Sequence, residues 1–231
     1  MDVKIANSHC IKALLEFNPT IIKSLEVGKK YADKYEEIIS LAKQNQISIK
    51  ETRQSIQALC KAPVVRDIKS DGYELGNLVI ILDEIQDTRN LGSCLRSASF
   101  FGADSIIIPK NNSAEFSNPA VIETSTGGIY EMKLYKVSNI SQTIKNLQKN
   151  DYWVSGFSEH GATEMSKDSL TAKNVLIFGN EEKGVRRLNL ENCDQILKIS
   201  SRGQTSSLNV AVATAIGTVS YTHLTLPTSR S

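Results

Sequence analysis

The sequence predicts an α/β protein built around a mostly parallel sheet, and two observations support this fold class. Short apolar runs recur from residue 78 onwards, and most are continuous, as in strands that are covered on both faces. Helix-like stretches separate several of the runs, an alternation typical of parallel strands joined by crossover helices. The apolar runs are residues 78–82, 105–109, 130–137, 152–157, 174–179 and 195–200. The helix-like stretches are residues 91–102, 138–149 and 208–219.

The N-terminal region predicts a smaller α/β layer of its own. Residues 21–27 and 47–49 read as short strands. Residues 31–45 form an amphipathic pattern whose apolar face carries Tyr35, Ile38, Ile39 and Ala42. Residues 61–77 contain Pro63, Gly72, Gly76 and mixed charges, which predicts a linker. We therefore expect a small domain of residues 1–65, a linker of residues 66–76 and a main domain of residues 77–219.

Composition narrows the class of protein only modestly. The chain has 231 residues, is 23% charged and carries a net charge of +2, which is a weak indication of a nucleic-acid partner. No apolar run approaches the roughly 20 residues of a membrane helix, and the N-terminus lacks a signal-peptide pattern. The cysteines and histidines are scattered without metal-ligand spacing, which predicts no metal site and reduced thiols in a cytoplasmic protein. The cysteines are Cys10, Cys60, Cys94 and Cys193.

Residues 90–103, NLGSCLRSASFFGA, place polar side chains in a predicted helix that follows an apolar strand. One face of this helix, suited to cover the sheet, carries Leu91, Leu95, Ala98 and Gly102. Asn90 stands where an N-cap belongs. Gly92 costs about 1 kcal/mol of helix propensity, which indicates close approach of backbone or ligand. Arg96 is explained equally by a surface ion pair or by a role near the carboxyl ends of the strands, where open α/β sheets bind ligands.

Two further polar loops follow apolar strands. In LIFGNEEKGVRR, residues 176–187, a strand leads into a glycine-containing turn and then a basic helix start. In ISSRGQTSSLNVAVATAIG, residues 199–217, a polar loop precedes a helix of small residues. Neither stretch contains the glycine fingerprint of a dinucleotide site or of a P-loop. Because the carboxyl ends of parallel strands share one edge of a sheet, we expect the three loops to converge.

Together the three loops resemble the motifs of the SpoU (TrmH) family of SPOUT methyltransferases. The matching patterns are Asn90-Leu-Gly…Arg96…Gly102, Gly179-x-Glu181-x-x-Gly184 and Ser207-Leu-Asn209-Val-x-Val-Ala. The resemblance covers residues 76 to about 219. SHCIKALLE, residues 8–16, is similar to the opening of the small domain, like ribosomal protein L30e, that one branch of the family uses to bind its substrate.

The resemblance implies a homodimeric enzyme with a trefoil-knotted C-terminal region. S-adenosylmethionine would be the methyl donor, and the acceptor would be a ribose 2′-hydroxyl in RNA, with a guanosine of 23S rRNA favoured. Cofactor binding is implied for Gly179, Ile199 and Leu208. The catalytic group is implied to be Asn90, Arg96, Glu181, Ser207 and Asn209. Methylation of tRNA, or a noncatalytic RNA-binding or ribosome-assembly role, stays open as an alternative.

Chemistry suggests a role for the arginines. Arg96 is a poor general base because an arginine stays protonated in proteins, so we expect it to bind an RNA phosphate and stabilise the developing alkoxide. Glu181 and Asn209 would orient Arg96 and the ribose. RNA phosphates are also expected to meet the arginines near the three motifs. These are Arg89, Arg186, Arg187 and Arg202.

The sequence departs from the family pattern in three places. Ser8 replaces the opening glycine of the N-terminal motif and Cys10-Ile11 its Ala-Val, while Ile199-Ser200-Ser201 stands where the family has Ile-Pro. The chain then ends in VSYTHLTLPTSRS, which has no helical period and looks like translated vector sequence. We expect residues 220–231 to be a non-native tail that replaces part of the last family helix.

Overall fold

The computed structural model describes residues 1–161, 163–166, 171–201, 203–204 and 207–225. The N-terminal part contains β1 (Asp2–Ile5), α1 (Ser8–Phe17), β2 (Ile22–Gly28), α2 (Glu36–Gln44), β3 (Ser48–Thr52) and β4 (Ile56–Lys61). These strands form one four-stranded sheet in the order β1-β4-β2-β3. Only β2 and β3 pair in parallel. The predicted α/β layer is therefore present.

The helix predicted over residues 31–45 starts later than expected. Two 3₁₀ turns occupy Lys29–Tyr31 and Asp33–Tyr35 before α2 begins at Glu36. The Tyr35 hydroxyl lies 2.8 Å from Ser55 Oγ, and this hydrogen bond fixes the side chain of the residue that directly precedes α2. Of the predicted apolar face, Tyr35, Ile38 and Ala42 are buried, while Ile39 is half-buried.

In the larger part, the described residues form seven strands on a mainly sequential βα pattern, preceded by one short edge strand. In chain order its elements are β5 (Val65–Arg66), β6 (Leu78–Asp83), α3 (Thr88–Phe100), β7 (Ser105–Pro109), α4 (Pro119–Thr124), β8 (Lys133–Val137), α5 (Ile140–Gln148), β9 (Trp153–Phe157), β10 (Thr163–Glu164), β11 (Asn174–Gly179), α6 (Arg187–Glu191), β12 (Gln195–Lys198) and α7 (Val210–Thr225). The sheet order is β10-β12-β9-β11-β6-β7-β8-β5, and its pairings are parallel. All six residues of β6 are buried, as its continuous apolar run predicts.

Three expectations about element boundaries were wrong. The predicted linker holds a strand, because Val65 and Arg66 pair with Leu134 and Tyr135 of β8. Helix α3 begins at Thr88, one turn before the expected position. Its N-cap is Asp87, whose carboxylate accepts hydrogen bonds from the backbone N–H groups of Arg89 and Asn90. Asn90 therefore lies in the first turn and its side chain is free for other contacts.

The third error concerns the end of the chain. Helix α7 continues through residues 220–225, which were expected to be a nonhelical tail. Thr222 Oγ1 lies 3.1 Å from the Thr218 carbonyl oxygen in the preceding turn and 2.9 Å from the Phe101 carbonyl oxygen just after α3, so the helix accommodates this β-branched residue by bonding its hydroxyl to the backbone. Residues 226–231 lie outside the described part of the chain.

The two parts of the protein share one hydrophobic core. A continuous cluster of buried residues runs from β1 and α1 to β6, α3 and α7. Polar contacts reinforce the junction: Glu123 of α4 accepts from the backbone N–H groups of Ala6 and Asn7 at 2.5 and 3.1 Å. The Tyr130 hydroxyl donates to the Lys61 carbonyl at 2.7 Å. The N-terminal part and the larger part are therefore held together by direct packing as well as by the segment that connects them.

Gly92 is the contact point between α3 and α4. A β-carbon at this position would lie 2.6 Å from Thr124 Cβ and 2.9 Å from the Val121 carbonyl oxygen. The close approach that Gly92 indicates in the sequence is thus the approach of a neighbouring helix, α4. The predicted sheet-facing side chains Leu91, Leu95 and Ala98 are buried.

We predict that Gly92→Ala lowers the free energy of unfolding by about 1–3 kcal/mol, because overpacking against α4 outweighs the gain of about 1 kcal/mol in helix propensity. Urea unfolding measures the change. Ser97→Ala in the same helix is the control and should stay within about 0.5 kcal/mol. A stabilised Gly92→Ala protein would contradict the packing described for α3 and α4.

All four cysteines are free in the structure. Burial raises the pKa of each thiol from an ordinary value of 9.0 to about 12. Between these two values the unfolded chain ionises its thiols while the native chain keeps them protonated. Stability from these groups is therefore complete below about pH 9 and is lost as the pH rises towards about 12.

We predict that Cys60→Ala flattens the alkaline loss of stability. The variant lacks one thiol that ionises only on unfolding, so its unfolding free energy should fall less steeply, by up to about 1.4 kcal/mol per pH unit, between about pH 9 and pH 11. Urea unfolding of both proteins across this range measures the slopes. Parallel slopes would show that the native Cys60 thiol ionises like that of the unfolded chain.

Candidate active site

The three polar loops converge at one edge of the sheet, as predicted. Strand β6 leads towards Asn90, the neighbouring strand β11 leads to Glu181, and Asn209 directly precedes α7. Asn90 Nδ2 donates to Glu181 Oε1 at 2.5 Å. Asn209 Nδ2 lies 2.9 Å from the same carboxylate oxygen and 3.1 Å from Asn90 Oδ1. We call Asn90, Glu181 and Asn209 the amide–carboxylate cluster.

The cluster is fixed from two sides but stays open to solvent. Asn209 Oδ1 accepts from the Ala211 backbone N–H at 2.9 Å, which turns its Nδ2 towards Glu181. Asn90 is held by the first turn of α3, which Asp87 caps. Glu181 and Asn209 are exposed, and Glu181 has no ion pair with a cation among the described residues. An oriented carboxylate and two amides facing water can receive a polar, hydrogen-bonding ligand.

Arg96 is not part of this cluster within one chain. Its side chain is exposed on α3 and makes no hydrogen bond or ion pair with any residue that the structure describes. Its backbone lies beside Gly128, in the turn that follows α4. The surface ion pair considered from the sequence is therefore not formed, and the guanidinium is free to bind an anion. Ser207 lies on the loop before α7 and lines the neighbouring cleft.

That cleft, of about 670 Å³, lies between the turn after β11 and the loop after β12. Phe157 and Phe178, at the ends of β9 and β11, lie in its apolar wall, with stacked rings 4.6 Å apart between centroids. The residues predicted to bind a cofactor, Gly179, Ile199 and Leu208, all line it. The structure thus brings the predicted cofactor residues together and places Glu181 and Ser207 beside them.

The cleft also contains residues that the motifs did not identify. Ser158, Glu159 and His160 follow β9 and face the same space. Strand β9 lies between β11 and β12 in the sheet, so its carboxyl end opens onto the cleft. The apolar run at residues 152–157 signalled the strand, but its position in the sheet order was needed to place these residues at the site.

A closed turn carries Glu181. A β-carbon on Gly179 would lie 2.0 Å from the Gly184 carbonyl carbon, and Gly184 has a φ of +65°. The Gly184 backbone N–H donates to the Asn180 carbonyl at 2.7 Å, and the Glu182 N–H donates to Asn180 Oδ1 at 2.8 Å. Both glycines of this motif are therefore required by the backbone path of the turn.

The predicted phosphate-binding arginines have different surroundings. Arg89 is exposed, and Arg187 pairs with Glu191 at 2.7 Å on the surface of α6. Arg186 pairs with the buried Asp83 at 2.7 Å and with Glu84 at 3.1 Å, contacts that the sequence did not predict. Arg202 lies outside the described residues.

The described residues contain neither a metal-site cluster nor a membrane-spanning helix. No group of histidine, cysteine and acidic side chains among the described residues has the arrangement of a metal site. Within the same residues, no helix combines the length and apolar character that a membrane crossing requires.

A parallel sheet with a polar cluster and a cleft at the carboxyl ends of its strands defines a ligand-binding α/β protein. Residues 77–219 match the SpoU rRNA methylase family, and the chain belongs to that family. It is 32% identical, over 92% of each chain, to "23S rRNA (guanosine-2'-O-)-methyltransferase RlmB" of Pseudomonas syringae pv. tomato. It is 36% identical to the protein of that name from Escherichia coli K12, over 60% of this chain and 56% of the relative.

Solved structures share the fold at low sequence identity. The SpoU methyltransferase AviRb from Streptomyces viridochromogenes, in complex with AdoMet, superposes with a TM-score of 0.76 at 19% identity, covering 96% of this chain and 90% of that chain. An RNA 2′-O ribose methyltransferase superposes with a TM-score of 0.77 at 18% identity, covering 96% and 88%. The predicted α/β architecture with a mostly parallel sheet is thereby confirmed.

We predict that Gly179→Ala lowers the thermal unfolding midpoint by roughly 5 °C or more, because the added methyl meets backbone atoms that move only if the turn opens. Differential scanning calorimetry measures the midpoint. The control is Gly203→Ala, since a β-carbon there meets no nonadjacent residue of the described part of the chain within 4 Å. Equal midpoints for the two variants would be incompatible with the closed turn.

Proposed function

We propose that this protein transfers a methyl group from S-adenosylmethionine to the ribose 2′-hydroxyl of a guanosine in 23S rRNA. The observation that carries the proposal is the amide–carboxylate cluster next to the cleft lined by Gly179, Ile199 and Leu208. Membership of the SpoU family and the names of the relatives support the reaction and the RNA class.

The residues of the cleft fit S-adenosylmethionine. Its volume of about 670 Å³ lies in the range of roughly 300–1,000 Å³ typical of small-molecule sites. The stacked rings of Phe157 and Phe178 give an apolar surface, while the main chain at Gly179 and the polar residues of the two loops supply hydrogen-bonding groups. When bound, this cofactor would supply a methyl group activated by its sulfonium. No metal is needed in this scheme.

The protein's own residues contribute positioning and electrostatic stabilisation. Asn90, Glu181 and Asn209 would hold the ribose so that its 2′-oxygen meets the methyl group in line, and such positioning supplies a large part of the rate in transfer reactions. Ser207 would add a hydroxyl at the cleft margin. Arg96 would bind the RNA phosphate and stabilise the alkoxide as the 2′-hydroxyl transfers its proton to solvent water.

RNA binding would extend beyond the reacting ribose. We propose that four arginines meet phosphates around a splayed, single-stranded guanosine. They are Arg89, Arg186, Arg187 and Arg202. The N-terminal part, which we propose to be an L30e-like substrate-binding domain, packs against the main domain through α1 and α4. We propose that it presents a second RNA surface at a fixed distance from the cleft.

We further propose a trefoil knot and a homodimer. The return of α7 to pack on α3, close to the start of the main domain, supports the knot. For the dimer, the support is that Phe100 of α3 and Val212 of α7 are exposed apolar side chains on one chain, and that Arg96 has no partner among the described residues. Free cysteines favour a cytoplasmic location.

Isotope-labelled methyl transfer tests the function. The purified protein is titrated with S-adenosylmethionine by calorimetry and then assayed with unmodified 23S rRNA and, in parallel, with tRNA. Label at a 2′-oxygen of 23S rRNA supports the proposal, and label on tRNA alone would move the substrate. Cofactor binding without transfer to either RNA would contradict the proposed reaction. Absence of cofactor binding would favour a noncatalytic RNA-binding role.

We predict that Arg96→Ala lowers methyl transfer by about a hundredfold or more, because the developing oxyanion loses its cation, while S-adenosylmethionine binds unchanged. The control is Arg66→Ala, which removes an arginine of the edge strand β5, three strands away from β6 in the sheet, where it pairs with Asp71. Full turnover by Arg96→Ala would refute the role given to Arg96.

A further inference from the structure

A buried carboxylate lies at the end of β6, just before the chain leaves the sheet towards Asn90. The Asp83 side chain, at the end of β6, is 0% exposed. It accepts from Arg186 Nε at 3.0 Å, from the Arg186 backbone N–H at 3.1 Å and from Asn189 Nδ2 at 2.7 Å, and it lies 2.7 Å from Arg186 Nη2. A buried carboxylate without these partners would carry a large desolvation cost.

Arg186 extends this contact to the loop after β6. Its Nη1 lies 3.1 Å from Glu84 Oε1, so one guanidinium joins the side chains of two successive residues. Glu84 has a φ of +61°, and its carbonyl accepts from Asn180 Nδ2 at 3.3 Å. A left-handed backbone at a residue other than glycine persists only where its surroundings hold it in place. Arg186 and Asn180 supply that hold.

The contacts connect two backbone segments that the sheet brings side by side. Asp83 and Gly179 are the last paired residues of β6 and β11. Beyond Asp83, the segment after β6 continues to Asn90. Beyond Gly179, the segment after β11 continues to Glu181, and these two segments form no further strand pairing with each other. The ion pair continues the alignment of the two strands past the end of the sheet. The separation of Asn90 and Glu181 is set by these two segments.

We propose that Asp83 is a positioning residue for the methyl transfer, which acts through Arg186 to hold Glu181 against Asn90. The expected effect on kcat rests on the proposed function. The expected effect on the position of Glu181 does not. Asp83 itself faces away from solvent and would touch neither RNA nor cofactor. Arg186 thereby has a structural role in addition to the phosphate-binding role expected from the sequence.

The structural consequence is tested by NMR of the side-chain amides of Asn90 and Asn209, which donate to Glu181 in the parent protein. In Arg186→Ala, both resonances should move towards their positions in Glu181→Ala. Arg186→Lys keeps a positive charge for Asp83 and should move them less; it also serves if Arg186→Ala fails to fold. Arg66→Ala should leave them in place. Unmoved resonances in a folded Arg186 variant would overturn the proposal.

The kinetic consequence is tested by steady-state methyl transfer. Arg186→Lys should lower kcat roughly tenfold to a hundredfold, as expected for a misplaced reacting group, with the KM for RNA changed less than about twofold. In a Glu181→Ala background the same substitution should have little further effect on kcat, because both act through one carboxylate.

The outcomes separate the two proposals. A raised KM for RNA with unchanged kcat, or additive effects of Arg186 and Glu181, would overturn the positioning role and leave Arg186 as a phosphate contact. A parent protein that transfers no methyl group would refute the proposed function, and the amide resonances would still decide whether Asp83 and Arg186 hold Glu181.

Discussion

The parallel pairing of β6 and β11 is the constraint on which the site depends. Six residues of each strand pair in register, from Asn174 beside Leu78 to Gly179 beside Asp83. Both strands are buried and end at the same level of the sheet. Because the chain leaves this pairing at Asp83 and at Gly179, polar residues more than 90 positions apart in the sequence arrive within hydrogen-bonding distance.

Small residues determine how closely the helices that cover β6 and β11 approach their neighbours. Gly92 brings α3 onto α4, and Gly217 brings α7 onto Phe178, whose ring would lie 2.6 Å from a β-carbon there. Helix α3 carries Asn90, and α7 begins directly after Asn209. Apolar packing of these helices thus holds the amide–carboxylate cluster in place. The cluster itself faces solvent.

Much of this arrangement is legible in the sequence. Continuous apolar runs identified the strands β6, β7, β9 and β11, because a strand covered on both faces needs apolar side chains at every position. The three polar loops identified Asn90, Glu181 and Asn209, since parallel strands deliver their carboxyl ends to one edge. Side-chain distances confirm that these residues meet, while their catalytic roles stay predictions.

Other features were hidden for physical reasons. The two-residue strand β5 is too short for any periodicity, and it lies in a stretch whose proline and glycines signal a loop. Asp83 ends an apolar run, where an acidic residue ordinarily marks a strand leaving the core. Its burial depends on Arg186, 103 residues later. Pairings of such separation leave no local pattern, and the sequence order of strands does not reveal their order in the sheet.

The position of α7 has a consequence for the biosynthesis of this protein. Asn209 meets Asn90 across a separation of 119 residues, and the helix that it caps packs against α3. Contacts of such long range form late, after most of the sheet is in place. A ribosome must therefore release nearly the whole main domain before the cluster can close, so that partly made chains exist for a time with a formed sheet and an incomplete site.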